Sequence, residues 1–177
     1  MACLFAGLIF QYGVSWTSLE YLILIFGLVT ASFIDYDHMI LPDEFTIGGV
    51  MIGLIGAAIN PERSFLDAFL GVLFGGGVLW LVAYLYFIFT GRDGLGGGDI
   101  KLLAWLGALL GWKSIPFIIL SSSVVGSVVG IILSRKNEAG LKTMIPFGPF
   151  LALGALLYLF GLKSVGLWYI DLFFPAL

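Results

Sequence analysis

Residues 65–89 read FLDAFLGVLFGGGVLWLVAYLYFIF, twenty-five residues with one charge, Asp67. At 1.5 Å per residue a helix over this stretch is about 37 Å long, enough to cross a hydrocarbon core of about 30 Å with tilt. The rest of the chain has the same character. Of its 177 residues, 60% are hydrophobic and 11% charged, and the mean hydropathy is +1.11. A soluble domain carries roughly a quarter charged residues, because it must present a polar surface to water. This chain cannot supply that surface, and lipid removes the need for it. The expected fold is therefore all-α: a polytopic transmembrane helix bundle of about six to seven membrane helices, with the lipid bilayer as its solvent.

Working outward from 65–89, further apolar stretches run from Met1 to about Val14, Leu19 to about Ile34, Phe45 to Ile59, Ile100 to Gly111, about Ile115 to Leu133, and Phe147 to Leu162. Met1–Val14 and Ile100–Gly111 fall short of the about 20 residues that a full span needs. Four glycine pairs are spaced four apart: Gly49 and Gly53, Gly71 and Gly75, Gly107 and Gly111, Gly126 and Gly130. That spacing puts small residues on one helix face, where backbones approach closely within a bundle or across a dimer. Oligomeric state is not fixed by the sequence.

If every stretch from the second onward crosses, the loops near 35–44, 90–99 and 134–146 share one membrane side. That side carries Arg92, Lys101, Arg135, Lys136 and Lys142, and the other carries Arg63, Lys113 and Lys163. The cation excess makes the first side cytoplasmic. The net charge of -3 adds little, and no basic patch interleaved with aromatics points to nucleic acid.

Chemistry-bearing residues are few. Cys3 is the lone cysteine, which excludes an internal disulfide and a cysteine-cluster metal site, and reads as a small buried residue. His38 is the lone histidine and reads as a loop residue; no metal site is expected. Ser121, Ser122 and Ser123 lie inside an apolar helix with no triad motif around them. Gly96-Gly97-Gly98 lacks the Gly-Lys-Ser/Thr ending of a phosphate loop. No cofactor is called for. The acids are different. Six of the eleven fall in two loops: Asp35, Asp37, Asp43 and Glu44 in one, Asp93 and Asp99 in the other. Asp35 ends one apolar stretch and Asp99 opens another, so both sit at the membrane boundary, where a carboxylate is costly. Asp37, Asp43 and Glu44 also read as solvated loop charges or caps, and Asp99 as a helix cap. A cap, however, does not need three preceding glycines, which suit a close approach of two backbones. Two carboxylates brought together cannot both ionise cheaply. One then donates to a peptide carbonyl while the other activates water, the aspartic protease arrangement.

Three stretches now resemble one family. Ala31 to Asp43, with Ile34-Asp35-Tyr36-Asp37 and Leu41-Pro42-Asp43, resembles the first active-site segment of type IV prepilin peptidases. Gly96-Gly97-Gly98-Asp99-Ile100-Lys101 is similar to the family's Gly-x-Gly-Asp signature, and Ile145-Pro146-Phe147-Gly148-Pro149-Phe150 to its C-terminal segment. The resemblance implies a membrane aspartyl endopeptidase with Asp35 and Asp99 as the catalytic pair. Gly96, Gly98, Lys101, Asp37 and Asp43 would belong to the active-site loops. It also implies a partner, a prepilin or pseudopilin with a basic leader, cleaved at the cytoplasmic face of a bacterial inner membrane. Long members also methylate the product. Their N-terminal cytoplasmic region and paired CxxC motifs have no counterpart here, so residues 1–177 read as one membrane-embedded peptidase domain without that region.

Two alternatives stay open. A presenilin-like intramembrane aspartyl protease shares Gly-x-Gly-Asp, and Tyr36-Asp37 and Pro175-Ala176-Leu177 resemble its other motifs, although 145–150 does not. A small transporter or channel would use midplane carboxylates, whereas these acids cluster at the ends of spans. Helix-end fields predict the resting protonation of the pair: Asp35 at a negative C-terminal end keeps its proton, and Asp99 at a positive N-terminal end is the ionised base.

Overall fold

The computed structural model describes residues 1–92, 96–136, 146–162 and 166–168. Asp93, Lys142, Ile145, Lys163 and the Pro175–Leu177 end, all named above, lie outside the described residues, as does the side chain of Lys136. Seven α-helices follow in order among the described residues: α1 (Ala2–Tyr12), α2 (Trp16–His38), α3 (Asp43–Ile59), α4 (Phe65–Thr90), α5 (Gly97–Leu110), α6 (Ile115–Lys136) and α7 (Gly148–Leu157). A 3-10 turn, Trp112–Ser114, joins α5 to α6, and a π turn, Tyr158–Leu162, extends α7. The all-α bundle expected from composition is the observed architecture.

Local sequence explains the helix ends. Ser15 caps α2 in a reciprocal box with Ser18, satisfying donors at the free end. Gly91 and Gly111 close α4 and α5 at φ 66° and 81°, backbone conformations that suit glycine. Among the described residues three helices are long and apolar enough to cross a bilayer: Trp16–His38, Phe65–Thr90 and Trp112–Arg135, the last counted from the 3-10 turn. The others are shorter. α5 has 14 residues, about 21 Å, below the hydrocarbon thickness.

The reason α5 can be short is its position. Every residue from Leu102 to Leu109 is buried, while α4 and α6 expose most of their large apolar side chains. α5 is the protein-facing centre; its neighbours face outward, where hydrocarbon solvates them. The spaced glycines make that centre. A Cβ on Gly71 would lie 2.0 Å from the Gly107 carbonyl oxygen, and the reverse holds for Gly107. α4 and α5 thus touch backbone to backbone, so these pairs are internal packing faces. On the other flank Trp105, 2% exposed, fills the space left by Gly27 of α2 and Gly49 of α3. Cys3, expected to be buried, is exposed on α1, because a small apolar residue facing lipid gains nothing further from protein burial.

Candidate active site

Three chain segments far apart in sequence gather at one end of the bundle: the α2–α3 connection, the start of α5 and the start of α7. Asp35 lies in the last turn of α2 and is 6% exposed. Asp99 lies in the first turn of α5 and is half-buried. It is not the cap of that helix; Gly96 holds the cap position, and no side chain caps it. The Asp99 carboxyl is therefore free for other work.

The segments meet on Leu41, a buried side chain between the two polar ends of the connection. A Cβ on Gly98 would lie 2.8 Å from Leu41 Cβ, and one on Gly148 would lie 3.4 Å from Leu41 Cδ1. Gly98 thus admits Leu41 against α5, which accounts for one glycine of the triplet. Gly148 approaches Asp35 still more closely. Its backbone N–H donates to Asp35 Oδ2 at 3.0 Å, and a Cβ there would lie 2.6 Å from the same oxygen. Gly148 is the first residue of α7. The Asp35 carboxyl leaves the negative end of its own helix and points at the positive end of another.

The remaining candidates are placed as follows. Lys101 Nζ lies 2.6 Å from Asp43 Oδ1, an ion pair that ties the start of α5 to the start of α3. Both side chains are about half exposed, at 42% and 57%. Asp37 is exposed, about 200° around α2 from Asp35, so it faces away from the buried carboxyl. Glu44 sits with Asp43 in the first turn of α3, where acids favour the positive helix end. His38 closes the last turn of α2 rather than lying in a loop, and is exposed. Among the described residues no three His, Cys, Asp or Glu side chains cluster so as to hold a metal ion. Two of the three serine hydroxyls are engaged within their own helix: Ser121 donates to Phe117 O at 2.8 Å and Ser122 to Ile118 O at 2.5 Å.

Electrostatics corrects the helix-end reading of Asp99. Its helix is outside the three long spans, and its carboxyl is pushed up to about 7, first by burial and then by the charge of Asp35. The field of one helix end does not outweigh loss of water together with a like charge. Asp99 is thus shared between protonated and ionised forms near neutral pH. The expectation of a fully ionised base does not hold.

An apolar groove of about 420 Å³ runs between α2 and α7, lined by Val29, Phe33, Tyr36, Pro149 and Leu156 among others. Tyr36 and Pro149 are the chain neighbours of Asp35 and Gly148, but the lining includes neither Asp35 nor Asp99.

Residues 22–131 match the Type IV leader peptidase family. The chain belongs to that family. Among curated relatives, it is 43% identical over 143 residues to the prepilin leader peptidase/N-methyltransferase of Stutzerimonas stutzeri, covering 81% of this chain and 50% of that protein. The protein of the same name from Pseudomonas aeruginosa gives 43% over 143 residues, 81% of this chain and 49% of the relative. That from Aeromonas hydrophila gives 40% over 162 residues, 89% and 54%. The chain therefore spans about half the length of the relatives it matches. No solved structure matches it.

The family match contains the first two motif segments and excludes 146–150, yet the structure places Gly148 against Asp35. Two residues at this candidate site were given no role of their own by sequence reasoning. Leu41 and Gly148 were read only as members of the Leu41-Pro42-Asp43 and 145–150 motifs. The available signal was a glycine preceding Pro149 at a helix start, a place where backbone donors are free.

Proposed function

We propose that this chain is a membrane aspartyl endopeptidase that removes the basic leader of a prepilin or pseudopilin, with Asp35 and Asp99 as its catalytic pair. What supports the reading is that Leu41 packs against Gly98, the neighbour of Asp99, and against Gly148, whose N–H donates to Asp35, so both carboxyls lie at one end of the bundle, with the charge of Asp35 helping to push the Asp99 carboxyl up. Such a pair holds one proton between two groups near neutral pH. The protonated member donates to the scissile carbonyl, and the ionised member takes a proton from the attacking water. The Gly148 N–H steadies Asp35 as an acceptor, which favours Asp99 as the proton donor and Asp35 as the base. This reverses the roles read from the helix ends of the sequence alone.

Residues 1–177 act as one membrane-embedded peptidase unit in this reading. The cation-rich loops and the catalytic pair face the cytoplasm of a bacterial inner membrane. Exposed Asp37, Asp43 and Glu44 beside the site suit a basic leader. The presenilin-like and transporter readings gain no comparable support, since the family match is to leader peptidases. The test is incubation of the purified chain with a leader peptide rich in Lys and Arg, beside an Asp99→Asn chain. Cleavage by the first and not the second is expected. Equal cleavage by both would remove the dyad.

A further inference from the structure

At the opposite end of the bundle from the two aspartates lies a buried charge that the proposed chemistry does not use. Arg63, in the α3–α4 connection, has a side chain 10% exposed and pairs with Glu20 of α2, 5% exposed. One guanidinium nitrogen donates to Glu20 Oε2 and reaches Gly53 O of α3 at 3.4 Å; the other donates to Ala108 O of α5. A single side chain thus bonds three helices. Two of them are the helices that carry Asp35 and Asp99.

The surroundings are built to hold it. Gly56 of α3 leaves room for the Glu20 carboxyl, since a Cβ there would lie 2.5 Å from Oε1. The connection that presents Arg63 is itself fastened to α2. Buried Asn60 donates to Thr17 Oγ1 at 2.9 Å, Thr17 donates to Glu62 Oε2 at 2.6 Å, and the Glu62 N–H donates to Asn60 Oδ1 at 3.0 Å. Ala108 is one of the last residues of α5, whose final carbonyls have no partner within the helix. Arginine suits the position because its planar fork presents several donors in fixed directions, which a lysine ammonium does not. Other titratable groups at this end include Tyr21 of α2 and Asp67 of α4, which line a polar pocket with Glu62 and Arg63, and Tyr12 of α1, which packs on Tyr21.

We propose that Arg63 is a positioning residue of the peptidase, setting the axial register of the Asp99 helix against the Asp35 helix from the far end of the bundle. α5 has 14 residues, about 21 Å and less than the hydrocarbon thickness, so its depth is set by its protein contacts, the Arg63 bonds among them. Asp99 lies nine residues before Ala108 on one rigid helix, so a slip at Ala108 becomes a displacement of Asp99 of the same size. A misplacement of about 1 Å costs on the order of a hundredfold in rate. The inference rests on the peptidase reading, and one of its readouts does not.

The test uses the full chain in nanodiscs with three variants: Arg63→Lys, Glu20→Gln, and the double Glu20→Met with Arg63→Met. The double variant replaces a buried pair by apolar side chains, a change that buried ion pairs often tolerate without loss of stability. Cleavage of a basic leader peptide gives kcat and KM. Infrared titration of carbon-13-labelled aspartate, read against an Asp99→Asn control, follows Asp99 without any substrate. Arg63→Lys and the double variant are expected to lose about tenfold or more in kcat, with KM within about twofold. Asp99 should titrate at lower pH in both, because distance and water weaken its coupling to Asp35. Glu20→Gln keeps an acceptor for Arg63 and should retain most of the rate. A folded double variant with unchanged kcat and unchanged Asp99 titration overturns the proposal. If Arg63→Lys does not fold, the double variant decides alone. If the unmodified chain does not cleave while Asp99 still shifts in the double variant, the register role stands and the peptidase reading falls.

Discussion

Replacing Gly148 by alanine tests the contact on which the candidate site turns. The new Cβ would lie 2.6 Å from Asp35 Oδ2 and 3.2 Å from its Cγ, with Leu41 Cδ1 closing the far side at 3.4 Å. Ordinary contact begins near 3.4 Å, so the carboxyl must retreat by about 0.8 Å. That movement carries the Gly148 N–H bond from 3.0 Å to beyond hydrogen-bond range. A hydrogen bond to a charged group is worth about 1.5–3 kcal/mol, and a misplacement of about 1 Å near the chemistry costs up to a hundredfold. Gly148→Ala should therefore lower kcat by about tenfold to a hundredfold. Stability should fall by no more than about 1.5–3 kcal/mol, the value of the lost bond, offset in part because alanine is the better helix former. The assay is leader-peptide cleavage by chain reconstituted in nanodiscs, with thermal unfolding measured on the same samples. A folded Gly148→Ala chain that cleaves at the unmodified rate would refute the reasoning, because Asp35 would then not need the place it occupies.

Four further outcomes are expected. Asp35→Asn and Asp99→Asn each abolish cleavage while Asp37→Asn and Asp43→Asn retain it, measured on the same peptide; a dead Asp37→Asn beside an active Asp35→Asn would move the pair. Asp99 titrates at about 7, above its ordinary value, so the folded state binds the proton more tightly than the unfolded one. Its contribution to stability is full below about pH 4 and is lost as pH rises toward 7, a slope in unfolding temperature that Asp99→Asn should flatten. Breaking the half-exposed pair by Lys101→Met should cost no more than about 1 kcal/mol in denaturant unfolding, because water screens it. Neutralising the Lys and Arg of the leader should weaken binding, and added salt should do the same to the native peptide, since the attraction is screened over about 8–10 Å; an affinity indifferent to both would remove the electrostatic argument.

The limits of the helix stretches were largely legible, because hydrophobicity and end chemistry are local. The 65–89 stretch emerges as Phe65–Thr90, and the 45–59 stretch starts two residues earlier, at Asp43. Asp35 and Asp99 were legible as candidates for the same reason: a carboxyl at the end of an apolar run has a cost that the sequence shows directly. The glycine spacing announced close helix contacts. It did not say whether these lay inside one chain or between two, and the Gly71–Gly107 contact decides for the inside. The raised titration of Asp99 was not legible because helix ends can be inferred from sequence, whereas burial and a neighbouring charge depend on what packs against the group.

What the sequence by itself determined is the solvent, the secondary structure and the chemical types available: a helical chain for a bilayer, two loops of acids, and few other reactive groups. What only the tertiary structure decided is which backbone groups those acids and cations meet. The N–H of Gly148 and the carbonyls of Gly53 and Ala108 are chemically the same as those of nearly every other residue. No composition or spacing marks them. They matter because the start of α7 lies against Asp35 and the end of α5 lies against Arg63. A sequence lists side chains, but it leaves the choice of backbone partners to the packing of the helices.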